Sequence, residues 1–134
     1  MTDYLFLYGT LLPDYAAEEA ADIVRLFKHI GSAYVTGRLY DLGDYPGAIL
    51  DQSSETSICG ELVALPQGHN LIEELDRYEE FDPSNPEGSL FIRKRTNVIL
   101  ASGETVPAWI YVYNRDPGNA PVVRGGDYSK SKVA

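Results

Sequence analysis

Three strand-like segments follow one another between residues 32 and 65 with only turns between them, and this succession limits the fold more than any other feature of the chain. Ser32 to Leu42, Ala48 to Asp51 and Ile58 to Leu65 are rich in β-branched, aromatic and other apolar residues, and the turn-forming run at 43–47 (GDYPG) parts the first two. Nothing between them is long enough for a crossover helix, so a repeating βαβ sheet is excluded. Tyr4 to Tyr8 is a continuous apolar run stopped by Gly9, the pattern of a buried strand ending in a tight turn.

Helical periodicity occurs twice. Ala16, Ala20, Ile23, Phe27 and Ile30 recur every three or four residues, which predicts an amphipathic helix from Ala16 to Ile30, closed by Gly31, with His29 in its last turn. Asn70 with Glu73 resembles an N-cap and its capping-box partner, predicting a short helix from Leu71 to about Glu79. The polar stretch at 82–89 (DPSNPEGS) predicts a loop without regular structure, and Leu90 to Leu100 and Val106 to Asn114 read as the closing strands, both faces of the last one suited to burial. The expected fold is α+β: a mixed, partly closed β-sheet or small β-barrel with two flanking helices. We expect a single domain over residues 1–128, with 129–134 as a flexible tail.

Composition narrows the partners. The 134 residues carry 20 acidic and 11 basic side chains, a net charge of −9, which opposes binding to phosphate backbones and to anionic membranes. No apolar run is long enough to cross a bilayer, and the N-terminus lacks the basic region of a signal peptide, so a cytoplasmic location is expected. Cys59, the lone cysteine, has no disulfide partner and reads as a small buried hydrophobe. His29 and His69 are far apart, so neither a metal nor a cofactor is expected, and phosphate-loop, dinucleotide and serine-hydrolase motifs are missing. A monomer or weak homodimer is expected.

One carboxylate is unusually placed. On a helix turning about 100° per residue, with Leu71 at zero, Leu75 falls near 40° and Glu79 near 80°, on the apolar side, whereas Glu73, Arg77 and Glu80 fall between about 180° and 240°. An inward carboxylate is costly as an anion unless it is paired or its pKa rises, and a raised pKa suits a group that takes and returns a proton near neutrality. Two readings stay open at this point: an acid/base residue, or a helix-end carboxylate that caps an amide or pairs with Arg93. The loop Tyr8-Gly9-Thr10-Leu11 is the second candidate, because glycine lets bare backbone amides approach a carboxylate or a developing oxyanion, though an ordinary strand-ending turn has the same composition.

Six motifs in order resemble the γ-glutamylcyclotransferase-like family: Tyr8-Gly9-Thr10-Leu11, Tyr45-Pro46-Gly47-Ala48, Leu75-Asp76-Arg77-Tyr78-Glu79, Phe91-Ile92-Arg93, the aromatic strand Ala108 to Tyr113, and Gly126-Asp127-Tyr128. The resemblance implies that Glu79 is the catalytic acid/base, that Tyr8 through Leu11 bind substrate, and that Pro46, Gly47, Arg93 and Tyr113 belong to the substrate site. It implies a cofactor-free cyclisation of a small γ-glutamyl peptide or amine to 5-oxoproline and a free amine. The alternative is a γ-glutamyl-binding or regulatory protein on the same fold that does not turn over. Two departures stand out: Glu80 replaces the glycine usual after the glutamate, and Phe91 stands where tyrosine is common. Arg38, Arg93 and the loop amides all remain candidates for holding the substrate α-carboxylate.

Overall fold

The computed structural model describes residues 3–9, 23–43, 45–67 and 71–127. In chain order these form β1 (Tyr4–Leu7), β2 (Lys28–Asp41), β3 (Pro46–Leu50), β4 (Ser57–Ala64), the helix α1 (Leu71–Tyr78), β5 (Phe91–Leu100) and β6 (Thr105–Tyr113), with 3₁₀ turns at Pro86–Gly88 and Arg124–Gly126. The strand order is β3-β2-β4-β1-β6-β5, and β5 pairs back onto β2 through Ala33↔Leu100 and Tyr34↔Ile99. Five strands thus close into a barrel, and β3 is carried as an extra strand on the C-terminal part of β2. The barrel is mixed, because β1 runs parallel to β6 while the other pairs are antiparallel.

Side-chain alternation explains why β1 reads as an unbroken apolar run. Phe6 faces the barrel interior with Val35, Leu39, Ile58, Leu62, Val98 and Ile110. Leu5 and Leu7 face outward, where Leu71 and Leu75 of α1 cover them together with Val63, Phe91 and Tyr111. Because β1 has helix on one side and barrel core on the other, it needs apolar residues at every position. β6 is built likewise, with Ala108, Ile110 and Val112 inward and Tyr111 toward the helix, so both its faces are used.

Three expectations are corrected. The helix expected through Ile30 stops earlier: Ile23 and Val24 are helical, Arg25 and Leu26 turn, and the strand begins at Lys28, with 16–22 outside the described residues. Lys28 and His29 take ladder positions opposite Ala64 and Val63, and the register shifts between His29 and Gly31. Sheet pairing therefore overrides the helical spacing of Phe27 and Ile30, and Gly31 lies within β2 instead of ending a helix. His29 stands 3.3 Å from Glu61 across the ladder. The 82–89 loop holds a 3₁₀ turn capped by the Asn85 side chain, and Asn114 Nδ2 donates to the carbonyls of Pro86 and Ser89 at 3.0 and 2.9 Å. Cys59 is half-buried, its thiol 3.6 Å from the Gly125 carbonyl, so it is not a closed core residue. The Asn70 cap and the 129–134 tail lie outside the described residues.

Candidate active site

The C-terminal end of α1 sets the central carboxylate. Leu71 and Leu75 are buried beneath the helix and Glu73, Arg77 and Glu80 are exposed, as the helical wheel requires. The helix closes with the amides of Glu80 and Phe81 donating to the carbonyls of Arg77 and Asp76 at 3.2 and 2.8 Å, and with Glu80 at φ 58°. That double bond with a left-handed residue is a Schellman closure, where glycine is favoured because a Cβ makes the conformation costly. The departure at Glu80 thus falls on the position where glycine has a physical purpose.

A buried polar frame fixes the helix against the sheet. Asp76, 5% exposed, accepts Arg93 Nε at 2.9 Å, Arg93 Nη2 at 3.3 Å and the Tyr111 hydroxyl at 2.7 Å. The Arg93 guanidinium lies 4.3 Å from the centre of the Trp109 ring, so its charge is spent on a carboxylate and an aromatic face. The Tyr8 hydroxyl donates to the Tyr111 backbone carbonyl and accepts a long 3.4 Å contact from the Ala48 amide. Strands β1, β3, β5 and β6 and the helix are thereby joined by hydrogen bonds at one end of the barrel.

Beside this frame opens a pocket of about 210 Å³. Tyr8 and Gly9 line it from the end of β1, Tyr45 and Pro46 from the start of β3, Tyr78 to Glu80 from the end of α1, and Leu90 and Phe91 from the start of β5, with Phe6, Leu7 and Tyr111 completing the wall. A Cβ added at Gly9 would meet Pro46 Cγ at 2.6 Å, so glycine is what lets the β1 loop approach this wall.

Burial pushes the Glu79 carboxyl from 4.5 up to about 7, and the neighbouring Glu80 charge adds to the rise. The residue as a whole is half-buried, while its carboxyl sits among atoms close enough to strip its water. No hydrogen bond or cation among the described residues offsets that burial. The Tyr8 phenol is pushed far up by burial and by Glu79, against a smaller lowering by the Ala48 amide. The Tyr111 phenol is raised by burial first and by Asp76 second. The site therefore combines one carboxyl poised near neutrality with two phenols that stay protonated. Among the described residues no three His, Cys, Asp or Glu side chains converge as a metal site.

The residues singled out in sequence divide into three groups. Tyr8, Gly9, Pro46 and Glu79 line the pocket. Thr10 and Leu11 lie outside the described residues. Gly47, Arg93 and Tyr113 are placed behind the lining: the Gly47 backbone backs onto Tyr113, Tyr113 packs on Phe91 with ring centres 5.6 Å apart, and Arg93 is held by Asp76. Arg93 is thus not the partner of Glu79, and Arg38 is paired with Asp51 at 2.6 Å. Sequence reasoning missed Asp76, Tyr45, Tyr78 and Tyr111. All four lie inside the quoted motifs, but only three-dimensional placement shows that Tyr45, Tyr78 and Tyr111 line the pocket while Asp76 braces Arg93 and Tyr111 behind it.

The closed mixed barrel, with the Glu79 carboxyl in an aromatic-lined pocket at one end, can be set beside known families. The family described as gamma-glutamyl cyclotransferase, AIG2-like, matches residues 5–130, and the chain belongs to that family. Among solved structures, an AIG2-like protein from Mus musculus superposes with a TM-score of 0.72 at 17% identity, covering 94% of this chain and 88% of that one. YkqA from Bacillus subtilis gives 0.71 at 21% identity over 97% of this chain, which spans only 40% of YkqA. The ytfP protein of Escherichia coli gives 0.63 at 23% identity, covering 93% of this chain and 95% of that one. At these identities the likeness shows the shared fold. No curated protein matches the chain in sequence.

Proposed function

We propose that the chain is a cyclotransferase that converts a small γ-glutamyl peptide or amine into 5-oxoproline and a free amine, with Glu79 as general acid/base. The observation that carries this reading is the Glu79 carboxyl, buried in the pocket and raised to about 7, where it can both take and return a proton at neutral pH. The lone pair of the neutral substrate α-amino group attacks the side-chain amide carbonyl, and Glu79 takes the proton that this nitrogen loses as it does so. The new C–N bond closes a five-membered ring, backbone amides of the Gly9 to Leu11 loop hold the oxyanion, and the old C–N bond breaks as Glu79 passes the proton to the departing amine. Atoms balance without water or cofactor. Nucleophile and electrophile share one molecule, so the pocket has only to hold a folded conformer, an advantage that can reach an effective molarity of ~10⁵ M or more. The Tyr8 and Tyr111 phenols stay neutral and so add no negative charge of their own to the pocket wall.

The test is incubation with a panel of γ-glutamyl dipeptides and γ-glutamylamines, with 5-oxoproline quantified by mass spectrometry. Release of 5-oxoproline with an equal amount of free amine is expected from at least one member. Binding of a γ-glutamyl compound without release from any member would instead establish a binding protein.

A further inference from the structure

Hydrogen-bond donors surround Glu79, yet among the described residues none of them is turned to it. Burial raises the Tyr8 and Tyr111 phenols first, and the charge of Glu79 adds to the rise at each, so both hydroxyls lie within that carboxyl's field. The Arg93 charge acts on the same Tyr111 hydroxyl in the opposite direction. All three donors are directed elsewhere. The Tyr8 hydroxyl donates to the Tyr111 carbonyl, the Tyr111 hydroxyl to Asp76 Oδ1 at 2.7 Å, and the Arg93 guanidinium to both Asp76 oxygens at 2.9 and 3.3 Å.

Two of the three therefore end on Asp76, which lies on α1 three residues before Glu79. The Glu79 amide still bonds the Leu75 carbonyl at 2.9 Å, so the helical path continues to Glu79 and the i, i+3 spacing makes the two side chains neighbours. Two carboxyl groups one turn apart thus sit beside the same donors, and Asp76, 5% exposed, holds them. A carboxylate that accepts such bonds is fixed as the anion and gives up its proton readily, the opposite of what an acid/base group at neutral pH requires. The other titratable groups at the pocket are Tyr45 on β3 and Tyr78 and Glu80 at the end of α1, and the Glu80 charge raises Glu79 further after burial.

Resting on the cyclotransferase reading, we propose that Asp76 is a positioning residue for proton transfer: by holding the Arg93 guanidinium and the Tyr111 hydroxyl it keeps both from Glu79, whose carboxyl stays free to exchange a proton with substrate. A brace alone would tie the helix to the sheet without changing how firmly Glu79 holds its proton.

Asp76→Ala frees both donors, and Asp76→Ala/Arg93→Met/Tyr111→Phe removes them as well. The triple variant replaces a buried polar cluster by apolar groups throughout, a change that proteins often tolerate. In each, the acid limb of kcat/KM for 5-oxoproline release is followed together with the Glu79 carboxyl carbon by 13C NMR, which needs no turnover. An opposite charge beside a carboxylate lowers its pKa by about 1–3, so the limb of Asp76→Ala is expected at least about one pH unit below that of wild type. The ratio of kcat/KM at pH 5 to that at pH 8 then rises roughly tenfold. The triple variant is expected to return the limb to the wild-type position. Asp76→Asn keeps the native size and one acceptor; its limb is expected between wild type and Asp76→Ala, and it takes the place of Asp76→Ala if that variant does not fold. A limb and a carboxyl titration unchanged in the folded variant overturn the proposal and leave Asp76 a brace, and so does a lowered limb that the triple variant fails to raise. If wild type turns over no γ-glutamyl compound, the cyclotransferase reading fails, while the NMR titration still decides whether Asp76 keeps the donors from Glu79.

Discussion

Replacing Glu79 by glutamine should stabilise the protein in a pH-dependent way. The carboxyl titrates near 4.5 in an unfolded chain and at about 7 in the pocket, so between these values the folded state holds a proton that the unfolded state has released. Stability contributed by this group is therefore fully present below pH 4.5 and is lost as pH rises through 7. The loss is the difference between the two pKa values at about 1.4 kcal/mol per pKa unit, which gives about 3 kcal/mol as an upper limit, since the residue is only half-buried. Glutamine does not titrate. Relative to wild type, Glu79→Gln should gain nothing from this source at pH 4.5 and should approach a gain of about 3 kcal/mol at pH 8, equivalent to roughly 10 °C in Tm for a domain of this size. Urea denaturation of both proteins at half-unit pH steps measures the difference directly. Any fixed cost of burying the amide shifts the whole difference curve but not its shape. A difference that is flat from pH 4.5 to 8 would refute a buried, proton-holding Glu79.

Three further outcomes follow from the same geometry. Glu80→Gly should relieve the left-handed backbone at φ 58°, with a net gain of about 0.5 kcal/mol after the entropy cost of glycine, seen as a small rise in the urea midpoint. It also removes the charge that helps raise Glu79, so the acid limb of the pH–rate profile should move to lower pH. Asp76→Asn should leave the Arg93 guanidinium without its counter-charge and cost about 3 kcal/mol in chemical denaturation, with a broadened Trp109 fluorescence transition as the stacked cation loosens. Gly9→Ala should force the loop off Pro46 to relieve a 2.6 Å contact, raising KM more than it lowers kcat.

Much of this was legible in the chain, and the parts that were not have identifiable causes. The strands at 32–42, 58–65, 90–100 and 106–114 show because each has at least one apolar face with period two, and β1 shows because both of its faces are covered. The inward direction of Glu79 follows from 100° per residue and two leucines. The helix end near Val24 was hidden because Phe27 and Ile30 satisfy a helical spacing equally well, and only pairing with β4 decides between the two. Asp76 was hidden for a related reason: at about 140° on the wheel it sits at the boundary of the two faces, and its burial depends on Arg93 and Tyr111, which come from 17 and 35 residues away. Closure of the barrel rests on two residue pairs between β2 and β5, a contact with no local signature. The placement of Arg93 behind the wall likewise depends on a partner that sequence order does not reveal.

The most direct test of the central claim, that Glu79 is the proton-transferring group, is the pH dependence of kcat/KM for 5-oxoproline release from the best γ-glutamyl substrate, measured for wild type and Glu79→Gln. Wild type should show an acid limb with an apparent pKa of about 7, and Glu79→Gln should lose that limb together with at least 10²-fold in rate at neutral pH. An unchanged limb and a near-normal rate in Glu79→Gln would contradict the account.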